Sequence, residues 1–254
     1  MVQQRDTAKG YDGIGRYQIV GNVSAPNGTG HALGFRRERT IEPTLQKGAV
    51  PSPQTMVLGM ENDPRLEEQL HNYVKIVKDE VDDMVKAGAL EIQLDAPAEA
   101  TSLINGTHSA TLIVDTLVAP FADVGDLTRT IHFCLGDISR RPGTEQQNLS
   151  ALLPLLQLLD GLVDRVHVEC SHAGQWADRH LLSEIPDSIE IIAGIADVKR
   201  DPQPVSELSS QMEALLQIVA EDRLLVSTSC GCGRVPHDEA IRLVRNLVKA
   251  AKGE

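Results

Sequence analysis

The chain has 254 residues, 41% of them hydrophobic, and carries 24 basic against 36 acidic side chains, a net charge of -12. That length and apolar content suffice for a buried core, while the acidic balance excludes nucleic acid as a partner except at a local basic patch. Asp115, Asp160 and Asp164 interrupt the leucine-rich stretches well short of the ~20 apolar residues of a membrane span, and the amino terminus shows no apolar signal region, so a cytoplasmic protein without a membrane partner is expected.

In chain order, Met1 to Arg16 is polar, glycine-containing and shows neither strand nor helix period. Residues 1–16 are therefore expected to be poorly ordered or to bind a partner, and 17–254 to form one domain, because no Pro/Gly/Ser linker interrupts the pattern after them. Gln18 to Ser24 and Ala49 to Ser52 read as short strands. Asp63-Pro64 reads as an N-cap with proline at the first helical position, and Leu66, Leu70, Tyr73, Val74, Val77, Val81 and Met84 follow at helical spacing up to Gly88. Leu90 to Leu94 is the next strand and ends in Asp95-Ala96-Pro97. A helical stretch runs through Leu112 to Val118, and strand Thr130 to Leu135 carries His132 and Cys134.

The alternation continues with helix Leu149 to Leu159, strand Arg165 to Cys170, helix Trp176 to Leu182 and strand Ile189 to Val198. Helix Glu207 to Ala220, strand Leu224 to Ser229 and a final helix from His237 close the pattern. Strands joined by helices imply parallel pairing, because a parallel crossover needs a dozen or more residues. The expected class is α/β, a (β/α)8 TIM-barrel-like fold in which about seven of eight strands are visible and the first strand unit is lacking.

All four cysteines fall in segments that end apolar β-type runs: Ile131-His132-Phe133-Cys134, His167-Val168-Glu169-Cys170 and Ser229-Cys230-Gly231-Cys232. Sulfur, imidazole and carboxylate donors suit a borderline-soft ion such as zinc, and strand ends are where a barrel gathers its catalytic groups. Disulfides are the less favoured reading in a chain of this size without a signal region. Glu169 lies in an apolar strand, where its carboxylate needs a metal, a cation or a raised pKa. Asp95 reads equally as a helix cap or a substrate contact. Cys170 and Cys232 read as packing or turn residues, His167 as a packed histidine, His172 as its neighbour flanking the glutamate, and Lys199 and Arg200 as solvating a loop end.

From about Tyr17 to the carboxyl end the chain resembles the catalytic domain of cobalamin-independent methionine synthase, within the uroporphyrinogen decarboxylase-like barrel superfamily. Val50-Pro51-Ser52-Pro53-Gln54-Thr55 is similar to the family's proline-containing loop, Ile92-Gln93-Leu94-Asp95-Ala96-Pro97 to its Ile-Gln-Ile-Asp-Glu-Pro motif, and His132-Phe133-Cys134-Leu135-Gly136-Asp137 to its His-x-Cys-x-Gly-Asn segment. Val168-Glu169-Cys170-Ser171, Gly194-Ile195-Ala196-Asp197-Val198-Lys199 and Ser229-Cys230-Gly231 follow in the family's order. The resemblance implies zinc ligands His132, Cys134, Glu169 and Cys230, catalytic roles for Asp95 and Asp197, and a substrate contact from Asp95 to the amino group of the thiol substrate.

It implies a zinc-dependent methyltransferase that moves a methyl group from a methyltetrahydrofolate or similar donor to a thiol such as homocysteine. The sequence departs from the family in three ways. No counterpart of the family's first strand and glycine-glutamate segment precedes Tyr17, Ala96 replaces a glutamate, and Asp197-Val198-Lys199 lacks a histidine found near this strand end in the long synthases. A protein partner or a second copy completing the barrel is therefore expected, and two other readings stay open: a non-catalytic or partner-dependent subunit of a split thiol alkyltransferase, and a metal-free uroporphyrinogen decarboxylase-like enzyme.

Overall fold

The computed structural model describes residues 4–5, 15–16, 19–57, 65–136, 148–171 and 173–254. Two short strands, β1 (Gln4–Arg5) and β2 (Gly15–Arg16), pair antiparallel. The expected N-cap at Asp63-Pro64 and His172 lie outside the described residues, and 19–24 hold no strand. The remaining elements begin with α1 (His31–Ile41), β3 (Lys47–Pro51), α2 (Pro53–Met56), α3 (Leu66–Lys86), β4 (Glu91–Asp95), α4 (Pro97–Ile104), α5 (Ala110–Val118) and β5 (Thr128–Phe133), of which α1, α2 and α4 were not expected. They continue through α6 (Leu153–Leu158), β6 (Arg165–Glu169), α7 (Ala173–Ala177), β7 (Glu190–Ala196), α8 (Val205–Leu216), β8 (Leu224–Thr228) and α9 (His237–Lys252).

Strands β3 to β8 form one six-stranded sheet in sequence order. The pairs β3–β4, β4–β5, β6–β7 and β7–β8 are parallel. This is the expected α/β class with the strand order of a barrel wall. Among the described residues no helix is long and apolar enough to cross a membrane.

The chain forms two compact units, Met1–Glu99 with His108–His132, and Ala100–Thr107 with Phe133–Glu254. In the first, Val50, Ile92, Leu94 and Ile131 of the strands are buried together with Val77, Val81 and Met84 of α3, whose spacing of four and three residues gives the helix one apolar face. Burying each such side chain stabilises by roughly 1.5–3 kcal/mol. Helix α1 was not visible in the apolar pattern, because only Ala32 and Phe35 are buried along it. Its amino end is held from a distance in sequence: the Glu80 carboxylate of α3 accepts from the N–H groups of Thr29, Gly30 and Ala32 and from the Thr29 hydroxyl. The carboxylate satisfies amide donors that no residue of α1 caps.

In the second unit β6 and β7 are buried along almost their whole length, as expected for parallel strands covered on both faces. Leu155, Leu156, Leu208, Leu215 and Leu243 of the surrounding helices complete that core. The helix expected over Leu149 to Leu159 divides into a 3-10 turn at Leu149–Ala151 and α6. Pro154 sits in the first turn of α6, where its missing N–H costs nothing.

Gly194 on β7 sets how closely three strands meet. A Cβ there would stand 2.8 Å from Ser229 Cα, 3.0 Å from Thr228 O and 3.1 Å from Val168 O, all backbone atoms. The β7–β8 register also shifts between Gly194 and Ala196. Backbone cannot rotate away as a side chain can, so only glycine lets the segments ending in Glu169 and leading to Cys230 approach to this distance. Gly194→Ala is expected to destabilise the protein by about 1–3 kcal/mol, read as a lower urea midpoint at unchanged slope; an unchanged midpoint would contradict the close approach.

Candidate metal centre

Three strands stop just where reactive side chains begin. Strand β5 is buried over its last four residues, and side-chain alternation puts His132 and Cys134 on the same side. Both are buried. After β8, the Ser229 N–H donates to Ala196 O at 2.8 Å, so the backbone still follows β7 when it reaches Cys230.

The ligand atoms of His132, Cys134 and Cys230 all lie within 4.8 Å of one another. The sulfurs of Cys230 and Cys134 are 3.5 Å apart. Two sulfurs bound tetrahedrally at about 2.3 Å to one zinc ion stand about 3.8 Å apart, so these donors fit such an ion with little movement. The thiols do not settle well without one: Cys134 is pushed well above the ordinary thiol range, first by its hydrogen bond with Cys230, then by burial and by the charges of Cys230 and Glu169. A divalent cation reverses each of the electrostatic contributions and draws both cysteines into the thiolate form.

Glu169, the last residue of β6, stands beside this group with both oxygens engaged. Oε1 is 2.5 Å from Lys199 Nζ, and Oε2 accepts the Leu135 N–H at 3.1 Å. The side chains are 1% and 2% exposed for Glu169 and Lys199. Burial pushes the Glu169 carboxyl up, against the pull of the Lys199 ammonium. Burial also works against the Lys199 charge, yet Glu169 and the nearby cysteines more than reverse it. The pair is therefore a carboxylate compensated by an ammonium. The expectation that Lys199 solvates a loop end is corrected: in the turn after Asp197 its side chain reaches Glu169 and is buried, where only a buried partner makes its charge tolerable.

Asp95 ends β4 in register with His132 of β5, so the two share a face of the sheet. It is half-buried and accepts from Gln93 Nε2 at 2.7 Å. Asp197, just beyond β7, is buried and accepts the Lys199 N–H at 2.8 Å. Its own N–H donates to Gln203 Oε1 at 2.6 Å, while Gln203 Nε2 donates to Ile195 O. Gln203 thus takes the place of a strand partner where β7 runs out. Asp197 also borders a cavity of about 480 Å³ with Ser171, Trp176, Arg200 and Gln211.

Cys170 and Cys232 are not in the three-residue group. Burial pushes the Cys170 thiol up to about 12, which makes it an inert packing residue. His167 is buried, with Nε2 3.0 Å from Thr228 O.

One buried carboxyl had no signal in the sequence. Glu99 of α4 is fully buried beneath the proline-containing loop. There Ser52 caps α2 by accepting the Thr55 N–H, and the Thr55 hydroxyl donates to Glu99 Oε2 at 3.1 Å. Oε1 has no hydrogen-bond partner among the described residues. Burial pushes this carboxyl up to about 7, against hydrogen bonds from Ser52, Thr55 and the backbone that favour ionisation.

The family described as "Cobalamin-independent synthase, Catalytic domain" matches residues 18–253. A protein named methionine synthase from Methanothermobacter marburgensis is 25% identical over 213 residues, covering 81% of this chain and 62% of the relative. A 5-methyltetrahydropteroyltriglutamate--homocysteine methyltransferase from Blochmanniella floridana is 28% identical over 244 residues, covering 92% of this chain and 30% of the relative. The chain thus spans less than two thirds of either relative's length. A B12-independent methionine synthase from Shewanella sp. W3-18-1, solved in complex with selenomethionine, superposes with a TM-score of 0.78 at 21% identity over 92% of this chain and 69% of that one. That likeness shows the shared fold.

Glu99 yields a test independent of any ligand. With its carboxyl near 7 in the fold and 4.5 as the ordinary value, the folded state keeps a proton that the unfolded chain releases, so stability falls as pH rises from about 4.5 to 7 and is level above. Glu99→Gln should flatten this part of the profile by an amount on the order of 2–3 kcal/mol. Urea unfolding of both proteins between pH 5 and 8 measures it, and parallel profiles would contradict the buried protonated carboxyl.

Proposed function

The chain belongs to the cobalamin-independent synthase catalytic-domain family, and from that premise we propose that it transfers a methyl group from a methyltetrahydrofolate-type donor to a thiol such as homocysteine. Zinc is the proposed metal, held by His132, Cys134 and Cys230, with Glu169 beside them. The observation that carries this reading is the meeting of one imidazole and two sulfurs within 4.8 Å. Their softness favours zinc over magnesium or calcium. The names of the two relatives, both methionine-forming enzymes, support the substrate class.

When bound, zinc supplies a Lewis acid that keeps a thiol in its nucleophilic thiolate form at neutral pH. The remaining work belongs to the chain. Cys134 and Cys230 bring two negative charges that cancel those of the ion and leave an added thiolate electron-rich. His132 contributes a neutral donor. Asp95, aligned by Gln93 on the face it shares with His132, is the proposed anchor for the amino group of an amino-acid thiol. Asp197 and the cavity that includes Trp176 and Arg200 are the proposed contacts for the methyl donor: an aromatic face and hydrogen-bonding groups suit a flat heterocycle. Asp197 is held in place for this by the Lys199 N–H.

Zinc content and thiol methylation of purified variants test the assignment. About one zinc per parent chain is expected, falling to a small fraction in His132→Ala and Cys230→Ala, with homocysteine methylation abolished, while Cys232→Ala keeps its zinc. Equal zinc content in the three variants would overturn the ligand set, and a zinc-free, inactive parent would favour the metal-free decarboxylase-like reading.

A further inference from the structure

The loop after β3 and the turn after β4 are clasped together by one buried carboxyl. Glu99, in the first turn of α4, is fully buried. Its Oε2 accepts the Thr55 hydroxyl at 3.1 Å, and the Ser52 hydroxyl and the Gln54 N–H also donate to this carboxyl. Thr55 returns the contact, its hydroxyl oxygen accepting the Ala98 N–H at 3.4 Å. Ser52 carries the clasp on to the strand end: its Oγ accepts the Thr55 N–H at 3.1 Å, and its N–H donates to Asp95 O at 2.9 Å. On the other side of β4 the Ala96 N–H donates to His132 O at 2.8 Å. Helix α2, which the loop forms, has four residues, too few to hold its place without outside partners.

We infer that Glu99 is a positioning residue for recognition of the substrate amine: by fastening residues 52–55 to the start of α4 it fixes Asp95, at the end of β4, where its carboxylate can take the amino group of an amino-acid thiol. This rests on the proposed role of Asp95 and adds a residue that touches no substrate. A fully buried carboxyl is costly beside an apolar side chain of the same size. What offsets the cost is the set of loop donors it satisfies, two of them on the buried residues Ser52 and Gln54. Leucine at position 99 would fill the space and leave those donors unpaired. The loop would then satisfy them by turning toward water, which draws the Ser52 N–H off Asp95 O. A charge-assisted hydrogen bond to an ammonium is directional, so a shift of the strand end is felt at the amine. The thiol is served by other residues, and its binding should be spared.

Isothermal titration calorimetry of the zinc-loaded, full-length chain reads the two ends of the substrate separately, with L-homocysteine and with 4-mercaptobutyrate, the same thiol acid without the amino group. The parent should bind homocysteine at least about tenfold more tightly than 4-mercaptobutyrate, as a charge-assisted pair at the amine gives. In Glu99→Leu that preference should fall to within about threefold of parity, while affinity for 4-mercaptobutyrate stays within about threefold of the parent. Glu99→Gln keeps the size and an acceptor oxygen, and should retain most of the preference. A merely structural role would weaken both thiols alike. That result, a parental preference in Glu99→Leu, or a glutamine variant as impaired as the leucine variant would each overturn the inference.

Should Glu99→Leu fail to fold, Thr55→Val decides, because it removes one hydroxyl of the clasp at nearly unchanged size. Loss of the preference for homocysteine with 4-mercaptobutyrate binding intact supports the inference, and a parental preference overturns it. A parent that binds neither thiol, or binds both equally, defeats the proposed role of Asp95 and this inference together. A parent that prefers homocysteine, with Glu99→Leu preferring it equally, defeats the inference alone.

Discussion

Two cysteine sulfurs 3.5 Å apart, Cys134 buried and Cys230 partly so, are the constraint around which the rest of the second unit is arranged. As thiols they share one weak hydrogen bond; as thiolates they repel across a medium that screens poorly. Only a cation at their common centre makes the charged form favourable, and the charged form is the one that has chemistry. The strand ends deliver them there because parallel strands stop at a common level and because Gly194 removes the Cβ that would hold the neighbouring segments apart.

Around the sulfurs the fold manages charge in pairs. Glu169 and Lys199 cancel each other beside the donor group, and Asp197 is drawn onto the backbone that carries Lys199. Gln203 supplies neutral hydrogen bonds where a further charge would be costly. The same economy operates far from the metal. Glu80 neutralises the amide donors of α1, and Glu99, which has hydroxyl partners for one oxygen only, favours its uncharged form through burial. Among the described residues, Glu80 and Glu169 have donors for both oxygens, whereas Glu99 lacks one and burial favours its protonated form.

The alternation of strands and helices was legible in the sequence because each strand is short, apolar and bounded by a helix with its own period. Six parallel strands, β3 to β8, stand where apolar runs predicted them. What escaped was governed by partners distant in the chain. Helix α1 has few apolar positions and takes its cap from Glu80, 48 residues beyond Ala32. The run 19–24 has strand-forming residues, yet propensity alone does not supply a pairing neighbour. His132, Cys134 and Cys230 were legible as donors by residue type and strand-end position. Lys199 was misread as solvated because a lysine in sequence carries no sign of burial, and it sits in a turn after β7 where no period marks an inward side. Glu99 had none, since its burial depends on the loop from Ser52 to Thr55 closing over it.

The family relation supports the chemistry without dictating how these particular side chains divide it. The central claim is that one imidazole and two sulfurs take a single metal ion. X-ray absorption at the zinc edge of the loaded protein tests it most directly: the account predicts two sulfur neighbours at about 2.3 Å and one imidazole nitrogen at about 2.0 Å. A zinc environment of oxygen and nitrogen alone would contradict it.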